Sequence, residues 1–302
     1  MYKGKIIDTH MHLCDLTTDN YDWLVGDRPE MREILGDEGY AFIKKSFSPQ
    51  DYVALAAKEN IVAAVHLQYE ANDNLQETRW LTHCADEAGV PSALVAKVNL
   101  SDDDAEAQLS AHCESEYMRG IRMLLTYVEG NAKLSLTDQD YFQNPVWQKQ
   151  FSLLKKFNLR FDVQIFDSQA AQLAAVASQH PEIPIMINHL LWPIDSSESG
   201  FDFWRKQVAA VAACDNIMMK ISGASLIFNE LDVKYVQPYI DTVLEYFTPA
   251  RCVVGSNYPP DGAYASFHDI WQGLRKGLQG LSADEQAQIF YDNAKQFYAI
   301  DE

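Results

Sequence analysis

Lys5-Ile6-Ile7-Asp8-Thr9-His10-Met11-His12 is a short β-branched run that ends in two histidines two residues apart. Residues i and i+2 of a strand face the same side. Reading Lys5–His10 as a first strand therefore makes Asp8, His10 and His12 project together at its C-terminal end. Two imidazoles aimed at one point are half of a divalent-metal site. The simpler alternative is two unrelated histidines, one buried and one exposed, and the rest of the chain bears on the choice.

Seven further runs read like the first: Val62–Gln68, Ala93–Val98, Gly120–Leu124, Arg160–Gln164, Ile183–His189, Met218–Ser222 and Cys252–Ser256. Most are apolar with few charges, as expected of strands covered on both faces. Between them, Pro49–Lys58, Glu77–Ala88, Asn144–Phe157, Ser168–Ser178, Phe203–Cys214 and Tyr235–Phe247 carry apolar residues at i, i+3 and i+4, the spacing of amphipathic helices. Eight strands alternating with helices predict parallel β-α units closed into a (β/α)₈ TIM barrel. An open doubly wound sheet is the alternative, but no G-x-G-x-x-G follows a strand. The 302 residues suit one such barrel, typically about 250 residues. No Pro-, Gly- or Ser-rich linker divides the chain, so 1–302 reads as a single domain. The long irregular segment 14–47 follows the first strand and is expected to cover the C-terminal mouth of the barrel.

The 24 basic and 43 acidic side chains leave a net charge of −19. That balance argues against nucleic acid or an anionic membrane as partner and leaves a small-molecule substrate. No apolar run approaches the length of a membrane span, and the N-terminus lacks the pattern of a signal peptide. Five cysteines, an odd number without a C-x-x-C pair, read as reduced thiols of a cytoplasmic protein.

Active groups of such barrels gather at the C-terminal ends of the strands. The polar residues there are few: His10 and His12, His66 and Gln68, Arg122, Asp162 and Gln164, His189, Lys220 and Ser222, Ser256 and Asn257, with Asp261 just beyond. Lys220 is costly to bury without a partner, so it is expected to be paired or functional. His66 reads as a buried, hydrogen-bonded residue, and His83, His112 and His180 as surface residues. Trp192, Trp23 and Tyr258 are aromatic material for a pocket floor or for packing.

The order and spacing of these segments resemble the amidohydrolase superfamily, and within it the amidohydrolase-related branch that contains sugar-lactone and 2-pyrone-dicarboxylate lactonases. Ile7-Asp8-Thr9-His10-Met11-His12, Glu77-Thr78-Arg79-Trp80-Leu81, Arg119-Gly120-Ile121-Arg122, Phe161-Asp162, Asn188-His189 with Trp192-Pro193, Lys220-Ile221-Ser222-Gly223 and Gly255-Ser256-Asn257-Tyr258-Pro259 carry the resemblance over nearly the whole chain. It implies a hydrolase that opens a lactone with water. It also implies His10 and His12 as a metal pair, His189 as a contact of the metal or of the substrate carbonyl, and Arg122 as the holder of a substrate carboxylate or carbonyl. Lys220, Gln68, Gln164 and Trp192 join Arg122 as expected substrate contacts. Two departures matter. Strand five lacks the histidine of metal-rich members, which implies one divalent metal, zinc or manganese, or none. Asn257 stands where the family usually has a water-activating aspartate, and an amide accepts no proton near neutral pH. Either Asp261 replaces the carboxylate, or Asn257 only orients a metal-activated water, or the protein is impaired. Two rivals stay open: a decarboxylase of the same superfamily, and a non-catalytic sugar-acid-binding barrel.

Overall fold

The structure, a computed structural model, describes residues 1–228 and 233–301. Eight parallel strands run in sequence order: β1 (Ile6–Met11), β2 (Ile61–Leu67), β3 (Ala93–Ala96), β4 (Met118–Leu124), β5 (Arg160–Gln164), β6 (Ile185–Ile187), β7 (Ile217–Ile221) and β8 (Cys252–Val254). All eight expected strands are present, with ends shifted by a few residues. β8 returns to β1 and the sheet closes on itself: Thr9 Oγ1 donates to the Val254 carbonyl (2.7 Å), Asn257 N–H to the His10 carbonyl (2.7 Å) and His12 N–H to the Tyr258 carbonyl (2.9 Å). The result is a (β/α)₈ TIM barrel. Its strands are almost wholly buried because helices cover their outer faces, which is why they are apolar at nearly every position. Phe297, Tyr298 and Ile300 at the C-terminus pack with Ile7, Val65 and Val253 into a second core cluster.

Three local differences from the periodic pattern have physical causes. Asn144–Phe157 is two short helices, Pro145–Gln150 and Leu153–Lys156; between them the Ser152 hydroxyl bonds the Lys149 carbonyl (3.0 Å) and competes with the helical ladder. Segment 14–47 is not wholly irregular, since it holds the helices Asp22–Val25 and Pro29–Ile43, the latter bent at Gly36 (φ 70°). Strand β1 carries a register shift between Asp8 and Met11. An extra residue there breaks the strict alternation of faces, and Asp8 does not project with His10 and His12. Its carboxylate accepts from Tyr52 OH (3.0 Å), Ser256 N–H (2.8 Å) and Ser256 Oγ (2.6 Å) instead, latching β1 to the end of β8.

Candidate active site

His10 from β1, His12 just past its end, Arg122 from β4 and His189 from the turn after β6 meet in one buried cluster. The ring centres of His10 and His12 lie 5.0 Å apart, those of His10 and His189 4.5 Å. Arg122 Nη1 sits 3.2 Å from His10 Nε2, and Nη2 donates to the Gln68 carbonyl at 2.7 Å. A guanidinium only donates, so His10 Nε2 accepts and the proton of the neutral ring is on Nδ1. Both His10 Nδ1 and Arg122 Nε are buried without a hydrogen-bond partner among the described residues. Burial first, and then neighbouring positive groups, hold His10, His12 and His189 well below the ordinary histidine range. All three rings are neutral at pH 7.

The tautomers of the other two rings follow from their partners. His12 Nδ1 lies 2.7 Å from the Leu67 carbonyl, a pure acceptor, so this nitrogen carries the proton and Nε2 keeps its lone pair. The ring stacks on Tyr69 (4.4 Å) and has the Asn257 side chain as an accepting neighbour. His189 Nδ1 lies 3.0 Å from Ser222 Oγ, and the ring also hydrogen-bonds the Ser222 backbone. With its N–H turned to Ser222, His189 also presents a bare Nε2.

Backbone strain gathers at the same residues. His189, Leu190, Leu191 and Asn257 all have φ near +50° to +57°, a left-handed conformation that non-glycine residues seldom adopt outside functional sites. Gly223 is left-handed too (φ +69°), and a Cβ there would lie 2.5 Å from His189 Nδ1. The Gly223→Ala variant is therefore expected to remain folded by circular dichroism and to lose most of its turnover, by ~10²-fold, as the imidazole is pushed out of line. Activity within twofold of the parent would show that the position of His189 does not matter.

Asn257 is fixed from behind. Its Nδ2 donates to Asp261 Oδ2. The other oxygen of Asp261 accepts from Ser225 N–H (2.9 Å), Leu226 N–H (3.1 Å) and Ser225 Oγ. Asp261 thus spends both oxygens on protein donors. It is buried, and burial lifts its pKa to about 6 against those hydrogen bonds. The amide is held with Nδ2 towards Asp261 and its oxygen towards His12.

Other expected site residues are placed as follows. Lys220 has no exposure, and its Nζ donates to Asp162 Oδ1 (2.8 Å) and the Thr9 carbonyl (2.8 Å), with Asn188 and Tyr298 on the same carboxylate. A substrate-anchoring Lys220 is therefore corrected to the cation of a closed internal ion pair. Gln68 is also spent: its side chain exchanges two hydrogen bonds with Glu70, both 2.7 Å. Gln164 ends β5 on the Asp162 face, one layer nearer the mouth. Trp192 stands edge-on to His189, with ring centres 6.1 Å apart. His66 bonds the Leu13 carbonyl (3.2 Å). His112 is not a surface residue: it is buried and pairs with Thr78 Oγ1 at 2.8 Å. Sequence reasoning missed Glu70, Lys97 and Tyr69, which lie just past strand ends, and Ser225, which lies in the short helix Ala224–Phe228, where no periodicity marks them.

The donor set does not fit a metal centre. Among the described residues no three His, Cys, Asp or Glu side chains are grouped to hold an ion. His10 Nε2 already accepts from a guanidinium, and a second cation at that nitrogen would stand against Arg122. What the cluster can do is offer donors to an oxygen through Arg122 and His10, and lone pairs to a water through His189 and His12.

Residues 7–300 match the family model described as Amidohydrolase. A Sinorhizobium fredii protein, the uncharacterized protein y4mH, is 31% identical over 298 residues, which span 98% of each chain. An L-fucono-1,5-lactonase of Burkholderia ambifaria is 27% identical over 304 residues, 98% of this chain and 96% of its own length. An amidohydrolase of Burkholderia multivorans, solved with bound zinc, superposes with a TM-score of 0.82 at 20% identity, covering 99% of this chain and all 100% of the other. Among the described residues no helix is long and apolar enough to cross a membrane.

Proposed function

This chain belongs to the amidohydrolase family and is a hydrolase, and from that premise we propose that it opens the lactone of a sugar acid with water at the C-terminal mouth of the barrel. The observation that carries this reading is Arg122 Nε, a buried cationic donor without a partner among the described residues, set among neutral histidines. Such a donor suits the oxygen of an ester carbonyl, where negative charge develops during attack. The lactonase relatives support the choice of ester and of a sugar-derived ring.

In this reading Arg122 Nε–H and His10 Nδ1–H receive the lactone carbonyl oxygen. A water lies between His189 Nε2 and the Asn257 amide oxygen. It adds to the carbonyl carbon as its proton passes to His189, and the carbonyl oxygen becomes an oxyanion facing Arg122. The ring C–O bond then breaks, His189 returns the proton to the departing alkoxide, and a hydroxy acid leaves. Asn257 orients the water, and Asp261 acts on it only by fixing the amide. Metal dependence is typical of the family, but the donor set described above supports a route through side chains alone. The whole chain, 1–302, works as one barrel domain here. Segment 14–47 covers the mouth, tied down by Trp23 Nε1 on the Tyr69 carbonyl (2.9 Å) and Tyr21 OH on Glu77 (3.0 Å).

The test is acid release from a panel of sugar-acid lactones, followed with a pH indicator. Saturable ring opening supports the reading; carbon dioxide release from an aromatic acid, with no lactone opened, would point to a decarboxylase. The pH profile adds a second check. Asp261 titrates near 6, whereas His12 and His189 titrate well below the ordinary histidine range. As pH falls through about 6, Asp261 gains a proton, becomes a donor towards Asn257 and releases the amide from its orientation. Activity is expected to fall on that limb. The Asp261→Asn variant should lose ~10-fold at pH 7.5 and lack the limb. An unchanged limb in that variant would assign it to another group.

A further inference from the structure

Beside the catalytic cluster lies a cavity of about 450 Å³ at the C-terminal ends of β2, β3 and β4. Glu70, Lys97, Asn99, Thr137 and Asp138 are among its lining residues. Its polar centre is an ion pair, Lys97 Nζ to Glu70 Oε2 at 2.5 Å, with both side chains 34% exposed. The pair is built rather than incidental. Gln68 Nε2 donates to Glu70 Oε1, Glu70 N–H donates back to Gln68 Oε1, and Glu70 holds a left-handed backbone (φ 52°). Strain of that kind persists only where surrounding structure enforces it. The next link is direct, because the Gln68 carbonyl receives Arg122 Nη2. The ion pair and the catalytic guanidinium are thus fastened to the two sides of one residue.

We infer that this cavity is the subsite for the hydroxyl-bearing arm of the lactone, with Glu70 and Lys97 as specificity-determining residues; the inference rests on the lactonase reading above. A carboxylate–ammonium pair exposed by a third retains accepting lone pairs on Glu70 and donating N–H bonds on Lys97. A hydroxyl uses both, since it donates and accepts at once. An unsubstituted hydrocarbon arm would strip water from the pair and return nothing. A carboxylate arm would meet Glu70 and Asp138, both acidic. A polyol arm is the chemistry that the polar groups of this wall can serve, with Val98, Met123, Leu124 and Leu136 against its carbon skeleton.

The experiment compares a hydroxylated six-membered sugar lactone with unsubstituted δ-valerolactone in the parent, Glu70→Gln and Lys97→Met proteins, with circular dichroism as a check on folding. The parent is expected to favour the sugar lactone in kcat/KM. Each variant should lower that preference by ~10-fold or more, mainly through KM for the sugar lactone, because a buried hydroxyl left without its partner discriminates strongly. Equal losses on both lactones, or no change in the ratio, would overturn the inference and leave the lactonase reading intact. If the folded parent opens neither lactone nor any other in the panel, the lactonase reading falls and the subsite falls with it. If the variants unfold, the ratio of competitive inhibition of the parent by a sugar alcohol to that by its deoxy analogue decides; equal inhibition rejects the subsite.

Discussion

His189→Ala is expected to lower kcat for lactone opening by ~10²–10⁴-fold while the circular dichroism spectrum stays that of the parent. The size of the effect follows from the role of the ring. His189 carries the only bare imidazole nitrogen in the account that both takes the water's proton and returns it to the leaving alkoxide. Its placement is enforced from several directions: Ser222 on Nδ1 (3.0 Å), Gly223 beneath the ring, and three successive left-handed residues, His189, Leu190 and Leu191. The fold should survive because the turn is held by other bonds, among them Trp204 Nε1 to the Leu190 and Leu191 carbonyls (2.8 and 3.0 Å). The check is steady-state kinetics on the folded variant. Activity within a few-fold of the parent would remove His189 from the reaction and leave His12 as the group to which the water's proton passes.

Arg122→Met should cost ~10²–10³-fold in kcat, the range for loss of a donor to a developing oxyanion. Methionine matches much of the arginine stem and removes the charge. The same change lifts a positive neighbour from all three histidines, since the guanidinium lowers His10, His12 and His189 alike. Their pKa values should therefore rise, while the acid limb set by Asp261 near 6 should stay where it is. Arg122→Lys is not expected to rescue the rate. An ammonium is a point charge and does not reproduce the three-way contact of Nη1 with His10, Nη2 with Gln68 and Nε with the substrate. A lysine variant with parental kcat would mean that charge alone suffices at this position.

The barrel was legible because parallel strands covered on both faces leave apolar runs that single out their positions. The run Arg160–Gln164 matches β5 to the residue, Arg122 stands two residues before the end of β4, and His189 stands two residues past β6. What could not be read depends on contacts between distant residues or on local backbone geometry. The register shift in β1 turns Asp8 towards Tyr52, 44 residues away, and an alternation argument has no way to anticipate it. A buried Lys220 needs a partner on physical grounds alone, but that Asp162 fills the need is set by the barrel bringing strands five and seven together around the same interior. Asp261 was placed near Asn257 by sequence proximity. Its direction came only with the turn Pro260–Ala263, which aims the carboxylate at Ser225 and the amide rather than at a water. Glu70 and Lys97 lie 27 residues apart on different loops, and neither carries a motif.

The most direct measurement is the rate of sugar-lactone opening by this protein before and after exhaustive chelation, with metal content determined on the same samples. With the electrophile in Arg122 and the proton acceptor in His189, the metal-free protein should open the lactone at the untreated rate. Loss of the rate on chelation and its return with zinc would contradict it, and would make His10 and His12 ligands that Arg122 must vacate.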